Sequence, residues 1–426
     1  MRVTIHPSVL KGVLKAPPSK SMTQRAIAAA ILARGTSTIS GASLCDDAVT
    51  AIAIAKALGA AVAINGDNIT IIGNFSAVET ALSAGESGLC MRMFAPIAAL
   101  LDTPITIAGK GSLLHRPMHM IDDALSQLGA SCKLVPNADS AIWQIKGPLT
   151  GGSAVINGHE TSQALTGLLM ALPLVSVDSE IRVKNLVSKG YVNMTIQLLR
   201  QFGVVIQQQS EELYKIRGRQ RYAAKDYTVE GDWSGAAFLL VAAALSGEIT
   251  VRNLLSNTKQ PDSAVLKALT FAGAPVSLSE QEVSLSKPTN SLRAFNFDAG
   301  ESPDLVPPLV ALAAACKGTS AIYGISRLKI KESNRAKVLQ QEFARIGVRI
   351  DLTDDTMKIY GDTLTVGDEP VHAHNDHRIA MALAVAACSA NKPLTIEGAE
   401  CVSKSYPDFF ADLRKLRVDV TIEDNV

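Results

Sequence analysis

The sequence predicts an α/β protein of two domains, each assembled from three units of about 70 residues, and three observations lead there. The first is a series of glycines that close amphipathic stretches: "AKALGAAVAI" at Gly59, "LSQLGASCKL" at Gly129, "LRQFGVVIQQ" at Gly203, "LTFAGAPVSL" at Gly273 and "FARIGVRIDL" at Gly347. Their spacings are 70, 74, 70 and 74 residues, and the sixth slot, in "LRKLRVDVTI", holds Arg417. The second is an in-step series of short strand-like runs ending at Gly41, Gly109, Asn185, Asn253, Gly324 and Gly398. The third is one almost wholly apolar helical run per unit, from "RAIAAAILA" to "RIAMALAVAAC". Helices apolar on every side belong inside a domain. Six of them in a 426-residue chain divide into two cores rather than share one, whereas a stacked solenoid would be amphipathic throughout.

In chain order, "RVTIHP" is a strand out of phase with the repeat, expected to cross back and complete the second domain. The segments "SKSMTQR", "GESGLCMR" and "GHETSQ" open the first three buried helices, and "GDWSG", "GESPD" and "HNDHR" open the last three. Between the two sets the polar stretch 216–232, "IRGRQRYAAKDYTVEGD", reads as the crossover. The expected domains are therefore 19–224, and 1–18 with 225–426. Within a unit a strand follows the apolar helix, then a helix with one polar face, then a strand opened by the marker glycine, a βαββαβ-type order.

Forty-one basic against forty acidic residues leave a net charge of +1, which argues against nucleic acid or an anionic membrane held by bulk electrostatics, so any anion site is local. The six cysteines form no CxxC pair and no metal-spaced cluster, and read as buried thiols of a reducing compartment. No apolar run reaches the roughly 18 residues of a membrane span, and the expected location is the cytoplasm. No GxGxxG follows a strand and opens a helix, which argues against hydride transfer.

The helix-opening segments carry the chemistry. Helix N-termini attract anions, and a cation placed there is unfavourable unless an anion or carboxylate lies nearby. Lys20, Arg25, Arg92, Arg378 and Lys404 stand at or near such entries, pointing to a multiply anionic small ligand in a cleft between the domains. "RLKIKESNRAKV" adds Lys329, Lys331, Glu332 and Arg335, and "RPMHM" adds Arg116 after the loop "GKGSLLH". Asp304, Glu332, Asp376 and His377 are candidate acid/base groups.

The ordered segments "PSKSMTQR", "ETSQALTGLLMALPL", "VSKGYVNMT", "SPDLVP", "IKESNR", "HNDHRIAMA" and "SKSYPDFF" resemble those of the 5-enolpyruvylshikimate-3-phosphate synthase family, from about residue 12 to about residue 410. The resemblance implies the two-domain enolpyruvyl-transferase fold, with buried parallel helices and sheets outside, closing over shikimate 3-phosphate and phosphoenolpyruvate. It implies a monomer that needs neither metal nor organic cofactor. Lys20, Ser21, Arg25, Thr161, Ser162, Gln163, Ser188, Asp304, Arg327 and Lys331 match the family's shikimate 3-phosphate contacts. Lys20, Gly88, Arg116, Gln163, Arg335, Arg378 and Lys404 match its phosphoenolpyruvate pocket, and Asp304, Lys331, Glu332, Lys20 and His377 its catalytic set.

Departures from the family pattern are Glu86 for Asn, Leu89 for Thr, Thr161 for Ser, Gly190 for Pro and Arg327 for an Asn ligand. Leu89, bulkier than Thr beside Gly88, is expected to weaken the phosphoenolpyruvate mimic glyphosate. The sister transferase acting on UDP-N-acetylglucosamine typically has Lys-Asn where Lys20-Ser21 stands here, and a cysteine in the loop that here reads "GKGSLLHRP". A non-catalytic relative would have no reason to keep Lys20, Asp304, Glu332, Arg378 and Lys404 together.

Overall fold

The computed structural model describes residues 1–135, 137 and 140–423. Every apolar run noted above forms a helix whose residues are almost all buried, because a segment without a polar face satisfies its backbone internally and presents only hydrocarbon to its neighbours. The chain divides into two units, Pro18–Val229, and Met1–Pro17 with Glu230–Val426.

In the unit 18–229, the buried α1 (Lys20–Leu32) leads into strand Ala33–Ser40, α2 (Asp46–Ala57) follows with one face exposed, and Ala61–Asn65 and Asn68–Gly73 close as a hairpin. The leading strand of this repeat comes from the far end of the unit: Tyr222–Ala223 and Tyr227–Thr228 lie parallel to Ala33–Ser40. The second repeat runs Ala81–Gly85, α3 (Gly88–Ala98), Ile105–Gly109, α4 (His119–Gln127), Ser131–Val135 and Ala141–Lys146. The third runs Gly152–Asn157, α5 (Gln163–Ala171), Ser179–Lys184, α6 (Lys189–Gln201), Ile206–Ser210 and Leu213–Ile216. In all three the first two strands are parallel, the fourth is antiparallel to the second, and the third forms the edge.

The unit containing 230–423 repeats the plan with borrowed strands. Leu10–Lys15 leads its first repeat, parallel to Gly247–Arg252, around α7 (Trp233–Ser246) and before α8 (Val265–Ala272). The middle repeat holds α9 (Val306–Ala314) and α10 (Arg335–Ala344) against strands Asn296–Asp298, Gly318–Tyr323, Arg349–Leu352 and Thr356–Gly361. The last holds α11 (His377–Ala387) and α12 (Phe409–Lys415), and its fourth strand is Arg2–Ile5, inserted between Leu394–Glu397 and Val420–Glu423. Each unit encloses its own apolar core.

Three details differ from the sequence expectation. The order within a repeat is βαβαββ, because the strand opened by the marker glycine folds straight back on the next one as a hairpin. The stretch 216–232 is not all crossover: Tyr222 and Tyr227 are buried, and their segments extend a sheet, so the unit runs to Val229 rather than 224. Besides "RVTIHP", a second strand, Leu10–Lys15, joins the unit of 230–423.

The marker glycines sit just past the amphipathic helices with left-handed φ, from 80° at Gly203 to 92° at Gly59, where a Cβ is disfavoured. Arg417 occupies the equivalent position at φ 70°. A second glycine constraint lies between α3 and α5. A Cβ on Gly167 would stand 2.8 Å from the carbonyl oxygens of Arg92 and Met93, so the two helices touch backbone to backbone.

Candidate functional site

In the unit 18–229 the polar groups gather at the starts of the buried helices. Ser19 caps α1 by accepting from the Met22 amide (3.4 Å), and Ser87 caps α3 by accepting from the Cys90 amide (3.3 Å). Lys20, a cation in the first turn of α1, is balanced by Asp47 from α2 at 2.9 Å. Arg25 lies one turn further, fully buried. Its Nε donates to the Thr195 hydroxyl at 2.9 Å, one Nη to the Ser21 carbonyl at 3.0 Å, and the other to the Thr166 hydroxyl at 3.5 Å. Among the described residues those hydrogen-bond partners are all uncharged, and burial pulls the guanidinium down to about 10. A buried cation held by hydroxyls is stabilised when an anion arrives.

The close approach at Gly167 sets the next group. It brings Arg92 of α3 to Gln163 at the start of α5, Nη1 to Oε1 at 2.8 Å. The same guanidinium donates to the Pro117 carbonyl at 2.9 and 3.2 Å and so fixes the turn that carries Arg116. Arg116 itself lies against the bare backbone of Gly88, where a Cβ would come within 2.8 Å of three guanidinium atoms. Thr161 accepts from the Gln163 amide at 3.1 Å, Ser162 is buried at the α5 entry, and Ser188 precedes α6 at φ 55°. Glu86 packs on Gly111, with a carboxylate oxygen 2.7 Å from where a Cβ would stand, and Leu89 is buried in the core.

In the unit of 230–423 the site is a knot of opposite charges. Arg335, the first residue of α10 and 1% exposed, donates from Nε to Asp376 (2.8 Å), from Nη1 to Asp304 (2.8 Å) and from Nη2 to Glu332. Burial alone would lower its proton affinity, but Asp376, Glu332 and Asp304 outweigh burial and raise it. Asp304 also faces Arg378 at 3.2 Å and Lys331 at 3.4 Å. Three carboxylates are thus set against Lys331, Arg335 and Arg378. Lys331 is pulled down to about 8, by burial first and by the neighbouring Arg335 and Arg327, with Asp304 and Glu332 opposing. Asp376 caps α11 through the Arg378 amide at 3.0 Å and accepts from Ser333 at 3.0 Å. His377 is buried at the first position of α11. Lys404 donates to both the carbonyl and the side-chain oxygen of Asn375, each at 2.8 Å. Arg327 donates to the Gly300 carbonyl.

Within each unit the structure therefore gathers most of the residues singled out from sequence. Sequence reasoning missed Asp47, Gln24, Thr166, Thr195, Asn375 and Glu342. Gln24 donates to Ser87 Oγ at 2.9 Å and to the Asp47 carbonyl at 3.2 Å, joining the starts of α1, α2 and α3. Thr166 was detectable as a lone hydroxyl inside the apolar run "QALTGLLMAL". Asp47 looks like any acidic residue in a first helical turn, and nothing local marks its partner.

Against known proteins, the family model of EPSP synthase (3-phosphoshikimate 1-carboxyvinyltransferase) matches residues 5–413. The 3-phosphoshikimate 1-carboxyvinyltransferase of Methanocorpusculum labreanum is 38% identical over 428 residues, covering 99% of this chain and 100% of its own. That of Clostridium kluyveri is 37% identical over 421 residues, covering 97% of each. Among solved structures, an EPSP synthase from Acinetobacter baumannii has a TM-score of 0.83 at 23% identity, covering 99% of this chain and 100% of that one. The enolpyruvyl transferase NikO from Streptomyces tendae has a TM-score of 0.81 at 18% identity, covering 99% and 98%. These two likenesses show the fold, and the curated relatives and the family model show more: the chain belongs to the EPSP synthase family.

Proposed function

We propose that this chain transfers the enolpyruvyl group of phosphoenolpyruvate to the 5-hydroxyl of shikimate 3-phosphate and releases phosphate, a step toward chorismate and the aromatic amino acids. The observation that supports this reading best is the knot around Asp304, which sets a lysine of lowered proton affinity beside the carboxyl groups of Asp304 and Glu332 and two guanidinium groups. Addition requires a base for the hydroxyl proton, an acid for C3 of the enol, and cations for phosphate and carboxylate. Lys331, in its neutral form, takes the hydroxyl proton as oxygen bonds to C2, and Glu332 delivers one to C3. In the tetrahedral adduct that results, Glu332 takes a proton back from the new methyl as the C2–O bond to phosphate breaks, and the Lys331 ammonium passes the hydroxyl proton to the departing phosphate, which returns both residues to their starting states. Asp304 orients Lys331 and holds Arg335 and Arg378 in place.

Arg25, Ser21, Thr161, Ser162, Gln163, Ser188 and Arg327 are assigned to shikimate 3-phosphate. Lys20 and Gln163 serve both substrates, and Gly88, Arg116, Arg335, Arg378 and Lys404 are assigned to phosphoenolpyruvate. His377, buried beside Asp376, completes the acid/base set. Two guanidinium groups suit the two oxygens of a carboxylate or phosphate better than ammonium groups do. The six buried thiols fit a cytoplasmic protein, and none of the described helices is long and apolar enough to cross a membrane. A monomer is part of the same reading, checked by light scattering. The test of function is phosphate release with both substrates, with each omitted in turn, and with UDP-N-acetylglucosamine as the alternative acceptor. Release that requires shikimate 3-phosphate and phosphoenolpyruvate together is the expected result; release only with the sugar nucleotide, or none, overturns the reading.

A further inference from the structure

We propose that Glu342 and His374 form a positioning pair that holds the turn His374–Asn375 and thereby sets Lys404 for phosphoenolpyruvate; this rests on the reaction proposed above. Glu342 lies on α10 and is 1% exposed. One carboxylate oxygen meets His374 Nε2 at 2.8 Å, and the other accepts from the His372 amide at 2.9 Å, with Arg345 as countercharge at 3.6 Å. His372 Nδ1 in turn accepts from the His374 amide at 2.8 Å, and the two rings stack edge to face at 4.8 Å. One buried carboxylate thus holds the imidazole of the turn and the amide of the strand that leads into it, and that strand's His372 ring holds the amide of His374.

That restraint has something to hold. His374 and Asn375 are consecutive non-glycine residues at φ 52° and 55°, a strained pairing that persists only where its surroundings over-determine it. The turn presents two oxygens of Asn375 to the Lys404 ammonium, at 2.8 Å each. The next residue, Asp376, receives Arg335 and caps α11. Helix α10 therefore grips the segment at two points seven residues apart, Arg335 on Asp376 and Glu342 on His374. The first grip belongs to the charged knot. Among the described residues the second shares no hydrogen bond or ion pair with the knot, and it fixes the direction from which Asn375 meets Lys404. With the His374 tether cut, the left-handed pair is free to relax, Asn375 swings, and Lys404 loses its bearing while Arg335 keeps Asp376 in place.

The experiment compares His374→Asn with His374→Gln. Asparagine accepts left-handed φ readily but is too short to reach Glu342, whereas the glutamine amide spans the gap and restores a donor. The expected result is a KM for phosphoenolpyruvate raised about tenfold in H374N and brought back to within about threefold of wild type in H374Q, as a misdirected binding group predicts. In H374N, kcat, the KM for shikimate 3-phosphate and the Tm stay near wild type. An unchanged phosphoenolpyruvate KM in H374N overturns the proposal, as does a general loss of rate and affinity that follows a lowered Tm. A wild type without turnover overturns the reaction alone. The tether is then read by titrating phosphoenolpyruvate calorimetrically, in the presence of shikimate 3-phosphate, into wild type and H374N. Binding about tenfold weaker in H374N upholds the tether, and equal binding, or none by wild type, overturns it.

Discussion

Within the knot, Lys331 has its proton affinity drawn down toward neutrality. Its proton affinity falls from 10.5 to about 8, chiefly because burial disfavours the charged form. A base must be neutral to accept the hydroxyl proton, and the neutral fraction in the folded protein grows as pH rises toward 8. The expected kcat/KM therefore climbs with pH and levels off above about 8. Bound phosphate and carboxylate favour the charged form, so the corresponding limb of kcat lies at higher pH than that of kcat/KM. Stability follows the same sign: between about 8 and 10.5 the unfolded chain holds this proton more firmly than the folded one, so the contribution of Lys331 to stability improves as pH rises through that window. Lys331→Arg, which cannot lose its proton, should turn over slowly and lack the limb. A profile that keeps the limb in this variant would assign the base role to Asp304 instead. The residue was legible in "IKESNR", but its lowered proton affinity was not, since it arises first from burial and then from Arg335 and Arg327, all fixed by tertiary packing.

At the scale of elements, the helix ends were the most legible part of the sequence because their chemistry is local. A left-handed residue after an amphipathic helix selects glycine, so spacing alone located Gly59, Gly129, Gly203, Gly273 and Gly347 and singled out Arg417. Arg417 follows α12 with φ 70° and an exposed side chain, and so bears the strain its five counterparts avoid. Arg417→Gly removes a cost of about 1–2 kcal/mol in the folded state and adds part of it back through the freer unfolded chain. The net expectation is about 0.5–1 kcal/mol of stabilisation, read as a higher urea midpoint at unchanged m-value. A midpoint that stays or falls would mean that the Arg417 side chain contributes more than the strain it brings. Strand partnership was less legible. Tyr222–Ala223 and Tyr227–Thr228 are two residues each, too short for any alternation to register, and their role is conferred by Ala33–Ser40, far away in sequence. The Glu342–His374 pair was hidden for the same reason, since a glutamate on a charged helix and a histidine in a loop reveal their contact only once the fold joins them.

For the whole molecule, the connectivity of the repeats makes the two units unequal in self-sufficiency. Among the described residues, every strand of the three sheets in 18–229 comes from within that stretch, and its apolar core draws only on residues from Met22 to Val229. The other unit lacks two strands if residues 1–17 are removed: Leu10–Lys15 from the edge of one sheet and Arg2–Ile5 from the interior of another. Val3, Ile5 and Leu10 are fully buried in its core. Losing three such side chains forfeits about 5–9 kcal/mol of burial, comparable with the total stability of a domain at about 5–15 kcal/mol. Withdrawal of Arg2–Ile5 also bares the facing edges of Leu394–Glu397 and Val420–Glu423, whose amides and carbonyls then need other partners. A fragment of residues 18–229 is therefore expected to unfold cooperatively on heating with a native-like circular dichroism spectrum. A fragment of 230–426 is expected to show no cooperative transition until a peptide of residues 1–17 is added, whereupon the transition returns in proportion to peptide bound. Cooperative unfolding of 230–426 by itself would show that its remaining core outweighs the missing strands, and that the borrowed pair serves connectivity rather than stability.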